Sequence, residues 1–156
     1  MNDKTMKKIK IALGSDHGGA ALKKAAAEII SKEFPDIELV DMGGAEGVSS
    51  DYPDMALSVA EKVSAGEFKY GVLFCGTGQG MAIAANKVSG IRAVCVTDPV
   101  VARFVREHND ANILALGGRI TGIEVAAEII RIFLRTNFAG DRHKKRVDKI
   151  NEYEKR

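Results

Sequence analysis

The chain has 156 residues, 46% hydrophobic and 28% charged, with a net charge of +2. This suits one globular domain over 1–156 with a single substantial core, and gives no whole-chain argument for a nucleic-acid or membrane partner. Aromatics at 6% and the absence of Trp argue against a base-stacking surface, and no stretch approaches the roughly 18 apolar residues of a membrane span.

Residues 1–7 read as a flexible, charged extension with no apolar signal-peptide core. Ile9 to Leu13 is a short apolar strand, followed by the turn Gly14-Ser15-Asp16-His17-Gly18-Gly19. Ala20 to Phe34 has helical spacing, with Leu22, Ala26, Ile29 and Ile30 on one side and Lys23, Lys24, Glu28 and Lys32 on the other. Ile37 to Val40 is a second strand. After a loop, Gly43 to Ser50, Asp51-Tyr52-Pro53 opens a second helix whose apolar face is Met55, Val59, Ala60 and Val63. The apolar run Tyr70 to Cys75 reads straight into Gly76-Thr77-Gly78-Gln79-Gly80 and then a helix to about Lys87. Arg92 to Val96 is a fourth strand, and Asp98 caps the helix that runs to about His108. Ile113 to Leu116 is the fifth strand. Thr121-Gly122-Ile123-Glu124 matches a capping box before a helix to about Thr136. A last helix, about Asp141 to Lys155, sets Val147, Ile150 and Tyr153 on a narrow apolar line suited to docking on another subunit.

Five short strands alternating with helices require a parallel sheet covered on both faces: a three-layer α/β/α, Rossmann-like sandwich. All strand-to-helix loops then emerge on one edge, which gathers Asp16-His17, Cys75 to Gly80, Thr97-Asp98 and Gly117-Gly118-Arg119. Ligands bind where neighbouring loops diverge, and the first and third strands carry the most glycine-rich loops.

Cys75 ends a strand next to bare backbone amides and before a helix, a setting that favours thiolate. Read from position alone, it is as much a buried core thiol as a base. Cys95, mid-strand, reads as core. Two thiols make no disulfide framework, which fits a reducing, cytoplasmic setting. Gly76-x-Gly78-x-Gly80 is neither the dinucleotide fingerprint nor a P-loop. Its amides converge on one point, as an anion or developing oxyanion requires. His108 at a helix end is by itself a favourable dipole contact. Arg142 and Arg146, four apart, share a helix face, which is either a solvated basic surface or a two-armed phosphate clamp.

Together these segments resemble the type B ribose-5-phosphate isomerases, the RpiB/LacAB sugar-phosphate isomerase family. The matching segments are Gly14 to Gly19, Asp51-Tyr52-Pro53, Cys75 to Gly80, Ala84-Ala85-Asn86-Lys87, Arg106 to Asp110, Gly117-Gly118-Arg119 and Arg142 to Val147. They keep the family's order from about Lys8 to Tyr153.

The resemblance implies interconversion of ribose 5-phosphate and ribulose 5-phosphate, as in the pentose phosphate pathway, without a metal or organic cofactor. Cys75 matches the base, and Thr77 with the amides of Gly76, Gly78, Gln79 and Gly80 matches the enediolate cradle. His108 matches the ring-opening residue. Asp16, Tyr52 and Asn109 match groups near the sugar, Asp16 among the catalytic set. His17, Arg119, Arg142 and Arg146 match the phosphate contacts. Gln79 holds a variable position. The resemblance also implies a homodimer or dimer of dimers with active sites at subunit interfaces, the C-terminal helix joining the contact. Isomerisation of another sugar phosphate (allose 6-phosphate, galactose 6-phosphate or a tetrose phosphate) is the alternative within the family. A non-catalytic phosphate-binding module on the same fold is the alternative outside it.

Overall fold

The computed structural model of the chain describes residues 8–156; the expected flexible extension, residues 1–7, lies outside the described residues. Strands and helices alternate as β1 (Ile9–Ser15), α1 (Ala20–Glu33), β2 (Ile37–Asp41), α2 (Tyr52–Ser64), β3 (Tyr70–Cys75) and α3 (Gln79–Ala85). They continue as β4 (Ala93–Cys95), α4 (Pro99–Asn109), β5 (Ile113–Gly117), α5 (Ile123–Arg135) and α6 (Asp141–Tyr153). The five strands pair in parallel in the order β2-β1-β3-β5-β4, which is the expected α/β architecture.

Alternation along the strands sorts side chains into two cores. Ile11, Leu13, Val72, Phe74, Leu114 and Leu116 meet α1, α4 and α5. Ala12, Leu73, Cys75, Ile113 and Ala115 meet α2 and α3. Burial on both faces is why these strands read as unbroken apolar runs. From β1 the chain moves outward to β2, then returns past β1 to β3. The direction of winding reverses there, so the carboxyl ends of β1 and β3 flank a crevice.

Several local expectations hold and others need correction. Asp98 caps α4, accepting from the backbone N–H of Val100 at 2.7 Å and of Val101 at 3.2 Å. Such a cap stabilises a helix by about 1 kcal/mol. The capping box at Thr121 does not form. The Thr121 N–H donates to the Gly117 carbonyl at 2.9 Å, Gly122 takes the N-cap position, and Thr121 Oγ1 is buried with no partner. A turn closed on Gly117, four residues back, holds Thr121, and the helix starts one residue later. α3 ends at Ala85, two residues before the expected Lys87.

Lys23, expected on the solvent side of α1, is only 4% exposed. Its ammonium donates to Asp41 Oδ1 (2.8 Å) and to the carbonyls of Gly43 (2.7 Å) and Gly44 (2.8 Å). Three acceptors offset the desolvation of the charge, and the contact pins the loop after β2.

β4 is a three-residue edge strand whose outer side meets a side chain. The Asn86 amide donates to the Ala93 carbonyl at 2.8 Å and accepts from the Ala93 N–H at 2.7 Å. α6 packs back on α4, burying His143 and Val147, while Ile150 and Tyr153 stay exposed. The expected apolar line therefore divides: Val147 serves this chain's own core, and the other two face outward.

Candidate active site

The crevice is built mostly from backbone. Gly19 sits so close to β3 that a Cβ there would lie 2.2 Å from the Phe74 carbonyl carbon. A Cβ at Gly118 would lie 2.5 Å from the Gly18 carbonyl oxygen. Glycine lets these three loops touch backbone to backbone. Hydrogen bonds then join them. The Asp16 N–H donates to the Phe74 carbonyl (3.1 Å), Gly118 N–H to Cys75 carbonyl (2.7 Å), and Arg119 N–H to Gly76 carbonyl (3.0 Å).

Cys75 stands at the end of β3, 5% exposed. The Gly78 N–H donates to its sulfur at 3.1 Å. Gly78 holds φ +83°, a conformation L side chains rarely adopt, and a Cβ there would be 2.8 Å from Cys95 Sγ. The amide reaches the sulfur only because the chain turns left-handed at that point. Thr77 is exposed at the loop's apex, and its Oγ1 accepts from the Gln79 N–H at 3.4 Å.

Cys95, expected in the core, is half-buried directly under this loop, with its thiol donating to the Thr77 carbonyl at 3.4 Å. Burial pushes the Cys95 thiol up from its ordinary value, and neighbouring Cys75 adds to the effect. Cys95 is thus held toward its protonated thiol form and supports the loop.

The Asp16 side chain is 8% exposed, its Oδ1 accepting from the Gly19 N–H at 3.1 Å. His17 is exposed, and its Nδ1 accepts from the Ser50 N–H at 3.4 Å. That bond assigns the proton of the neutral ring to Nε2. The Tyr52 ring lies against Gly80, where a Cβ would come within 2.8 Å of it. The Arg119 side chain runs over Gly76, its Nη1 3.4 Å from where a Cβ would be. Asp16, His17, Tyr52, Cys75, Gly76, Thr77, Gly78, Gln79, Gly80 and Arg119 therefore gather at the carboxyl edge.

The remaining candidates lie elsewhere. α4 leaves the carboxyl edge after β4 and descends 11 residues, about 16 Å at 1.5 Å per residue, to enter β5 from the amino edge. His108 and Asn109 end that descent. The Asn109 and Asp110 carbonyls accept from Arg92 Nε, at 2.9 and 3.0 Å, just before β4 begins. Arg106, 3% exposed, fastens the same end, donating to Asp110 Oδ1 (2.9 Å), the Ala111 carbonyl (2.6 Å) and the Tyr70 hydroxyl (2.9 Å) at the start of β3. His108 stacks on Phe104, ring centroids 4.9 Å apart, and on His143 of α6, 4.2 Å apart. Arg142 and Arg146 are exposed on α6 beside His143.

One subunit thus separates a thiol, a carboxylate and an amide cradle from an imidazole and two guanidinium groups. His143 escaped the sequence reading because it sits in a basic run. Its spacing of four from Val147 and seven from Ile150 was the available signal.

Comparison with known proteins identifies the family. A family model described as Ribose/Galactose Isomerase matches residues 11–150. The ribose-5-phosphate isomerase B of Escherichia coli (strain K12) is 43% identical over 148 residues, 94% of this chain and 97% of its own. A solved ribose-5-phosphate isomerase B from Clostridium thermocellum superposes with a TM-score of 0.90 at 50% identity, covering 94% of this chain and 98% of that one. A ribose-5-phosphate isomerase B from Mycoplasma genitalium, solved with bound ribulose-5-phosphate, gives a TM-score of 0.88 at 40% identity over 94% of this chain and 97% of that one. The chain belongs to the ribose/galactose isomerase family, in its RpiB/LacAB line, and is an aldose–ketose isomerase.

Proposed function

We propose that the chain interconverts D-ribose 5-phosphate and D-ribulose 5-phosphate through a cis-enediolate, with no metal or organic cofactor. The observation that carries this reading is the Cys75 thiol at the β1/β3 crevice with a backbone N–H on its sulfur. A donor to sulfur favours negative charge there. The Cys75 thiolate takes the proton from C2 of the open aldose. The C2–H electrons form the C1–C2 double bond, and the carbonyl pair moves to O1. Thr77 and the amides from Gly76 to Gly80 stabilise that oxygen. The Cys75 thiol then returns a proton to C1, while O2 passes its own proton by way of the buried Asp16 carboxylate to O1 and becomes the carbonyl. Tyr52, Gln79 and Asn109 bound the sugar. A phosphate held by His17, Arg119, Arg142 and Arg146 supplies binding energy that positions the carbons.

Ribose 5-phosphate is mostly a closed furanose, so ring opening precedes isomerisation. A general acid must protonate the ring oxygen as the anomeric hydroxyl loses its proton, and His108 is that acid in this reading. Its place at the amino edge makes the site one shared between subunits. A two-fold homodimer sets the amino edge of one copy against the crevice of the other, and completes two sites at once. Val101 and Phe104 on α4, Ile83 on α3, and Ile150 and Tyr153 on α6 are the exposed apolar side chains available to such a contact.

Two experiments test this reading. A panel of phosphorylated tetroses, pentoses and hexoses should give fastest turnover with the pentose; a faster hexose or tetrose moves the assignment to that sugar. Mixing Cys75→Ala with His108→Asn protein under subunit exchange should restore activity on ribose 5-phosphate. Random pairing puts half the subunits in heterodimers with one intact site in two, so about a quarter of wild-type activity returns. No restoration places both residues in the same subunit's site.

A further inference from the structure

α6 buries one polar side chain, His143, 7% exposed. Its ring lies parallel to His108, 7° between planes and 4.2 Å between centroids. Phe104, one turn before His108 on α4, stacks on the same imidazole at 4.9 Å and 29°. Two stacked neighbours leave the ring edge, with its two nitrogens, as the polar surface His108 presents. A catalytic imidazole is ordinarily oriented by a hydrogen bond on its second nitrogen. Among the described residues no side-chain hydrogen bond engages either nitrogen of His108, so orientation falls to the stack.

We propose that His143 is a positioning residue for His108, fixing the plane of its imidazole for ring opening through the Phe104–His108–His143 stack. The inference rests on the reading of His108 as the ring-opening acid. Stacking restrains the torsion that would swing the ring edge away from the sugar, and small angular errors in a proton donor are costly.

Charged groups on both helices act on His143. His108 and Glu107 face it from α4, and Arg142 and Arg146 from its own helix. Burial first, then His108, Arg142 and Arg146, hold the His143 imidazole below its ordinary value, with Glu107 opposing. These influences bias the His143 imidazole toward its neutral form.

The test compares His143→Phe with His143→Leu. Both are apolar and of similar bulk, so both keep α6 docked, but only Phe keeps a flat ring. Two readouts are taken on the intact enzyme. One is turnover of ribose 5-phosphate, which needs ring opening. The other is exchange of the C1 proton of ribulose 5-phosphate with solvent, which needs only the base. His143→Leu should slow ribose turnover by about tenfold or more while exchange stays within about threefold, and His143→Phe should recover most of the turnover. An NMR titration adds a measure of the stack itself, since His108→Asn should raise the His143 midpoint. Equal behaviour of the Leu and Phe variants, or a His143 midpoint indifferent to His108, overturns the inference. His108→Asn is the control that separates the two claims. If it slows both readouts alike, the ring-opening reading fails and takes this inference with it. If it slows ribose turnover alone while His143→Leu slows neither or both, only the role of His143 fails.

Discussion

The two edges of the sheet are made of different material. The carboxyl edge is backbone: glycines at van der Waals limits, the Gly78 amide on the Cys75 sulfur, and carbonyls joined loop to loop. The amino edge is side chain: a buried guanidinium fully partnered, three stacked rings, and exposed arginines. The first suits a charge that appears briefly and must be met by dipoles already in place. The second suits groups that accept a proton or grip a phosphate by their own charge. Substitutions at the carboxyl edge should therefore damage kcat and the fold together. At the amino edge they should separate KM, pH dependence and stability.

The largest effect is expected at Cys75. Cys75→Ala removes the proposed base without adding volume, so kcat should fall by about a thousandfold or more while sugar-phosphate binding persists. Direct binding by calorimetry together with turnover checks this; unchanged turnover removes Cys75 from the reaction. Gly78→Ala comes next. It forces a positive φ on an alanine and drives its Cβ into Cys95, so the amide leaves the sulfur. Expected are a kcat loss of about tenfold to a hundredfold and a stability loss of about 1–3 kcal/mol, read from kinetics and urea unfolding. A stable Gly78→Ala enzyme with normal kcat would detach the cradle from catalysis.

Arg142→Ala, at the opposite edge, should raise KM by about tenfold with kcat and stability nearly unchanged, because the residue is exposed. A fall in stability equal to that of Gly78→Ala would erase the distinction between the edges. The smallest effect concerns pH. His143 is buried and held below its ordinary value. Below about pH 6.5 the unfolded chain binds a proton at this residue that the folded chain resists. Stability should fall as pH falls through that window, and rise again as His143 becomes neutral in both states. Urea midpoints at about pH 7.5 and about pH 5.5 measure the slope, and His143→Phe should flatten it.

Much of this arrangement is legible in the residues, and the exceptions share a cause. The run Tyr70 to Cys75 followed by alternate glycines marks a buried strand entering a tight turn, because strand, turn and helix start are all local chemistry. Asp98 caps α4 for the same reason. Thr121 does not cap α5, because the turn that closes on Gly117 leaves Gly122 at the N-cap and the Thr121 hydroxyl buried away from the helix start. Lys23 has the pattern of a solvent-facing lysine, and only the pairing of β1 with β2 brings Asp41, Gly43 and Gly44 to its ammonium. Cys95 lies in an apolar strand, yet β5 stands between β4 and β3, leaving its sulfur under the Thr77 loop. The separation of His108 from Cys75 follows from strand–helix alternation alone, since a helix that starts at one edge must end at the other. His143 is the residue that alternation does not reveal, because only the docking of α6 on α4 turns a basic run into a stacked ring.

The Asn86 amide on β4 bears on a different hazard. A sheet with free outer N–H and C=O groups offers a template on which another chain can grow, the first step toward fibrils. β4 is short, and both outward groups of Ala93 are taken by one side chain that imitates a neighbouring strand. For a subunit proposed to recognise a copy of itself through its helices, closing this edge removes a competing mode of self-association.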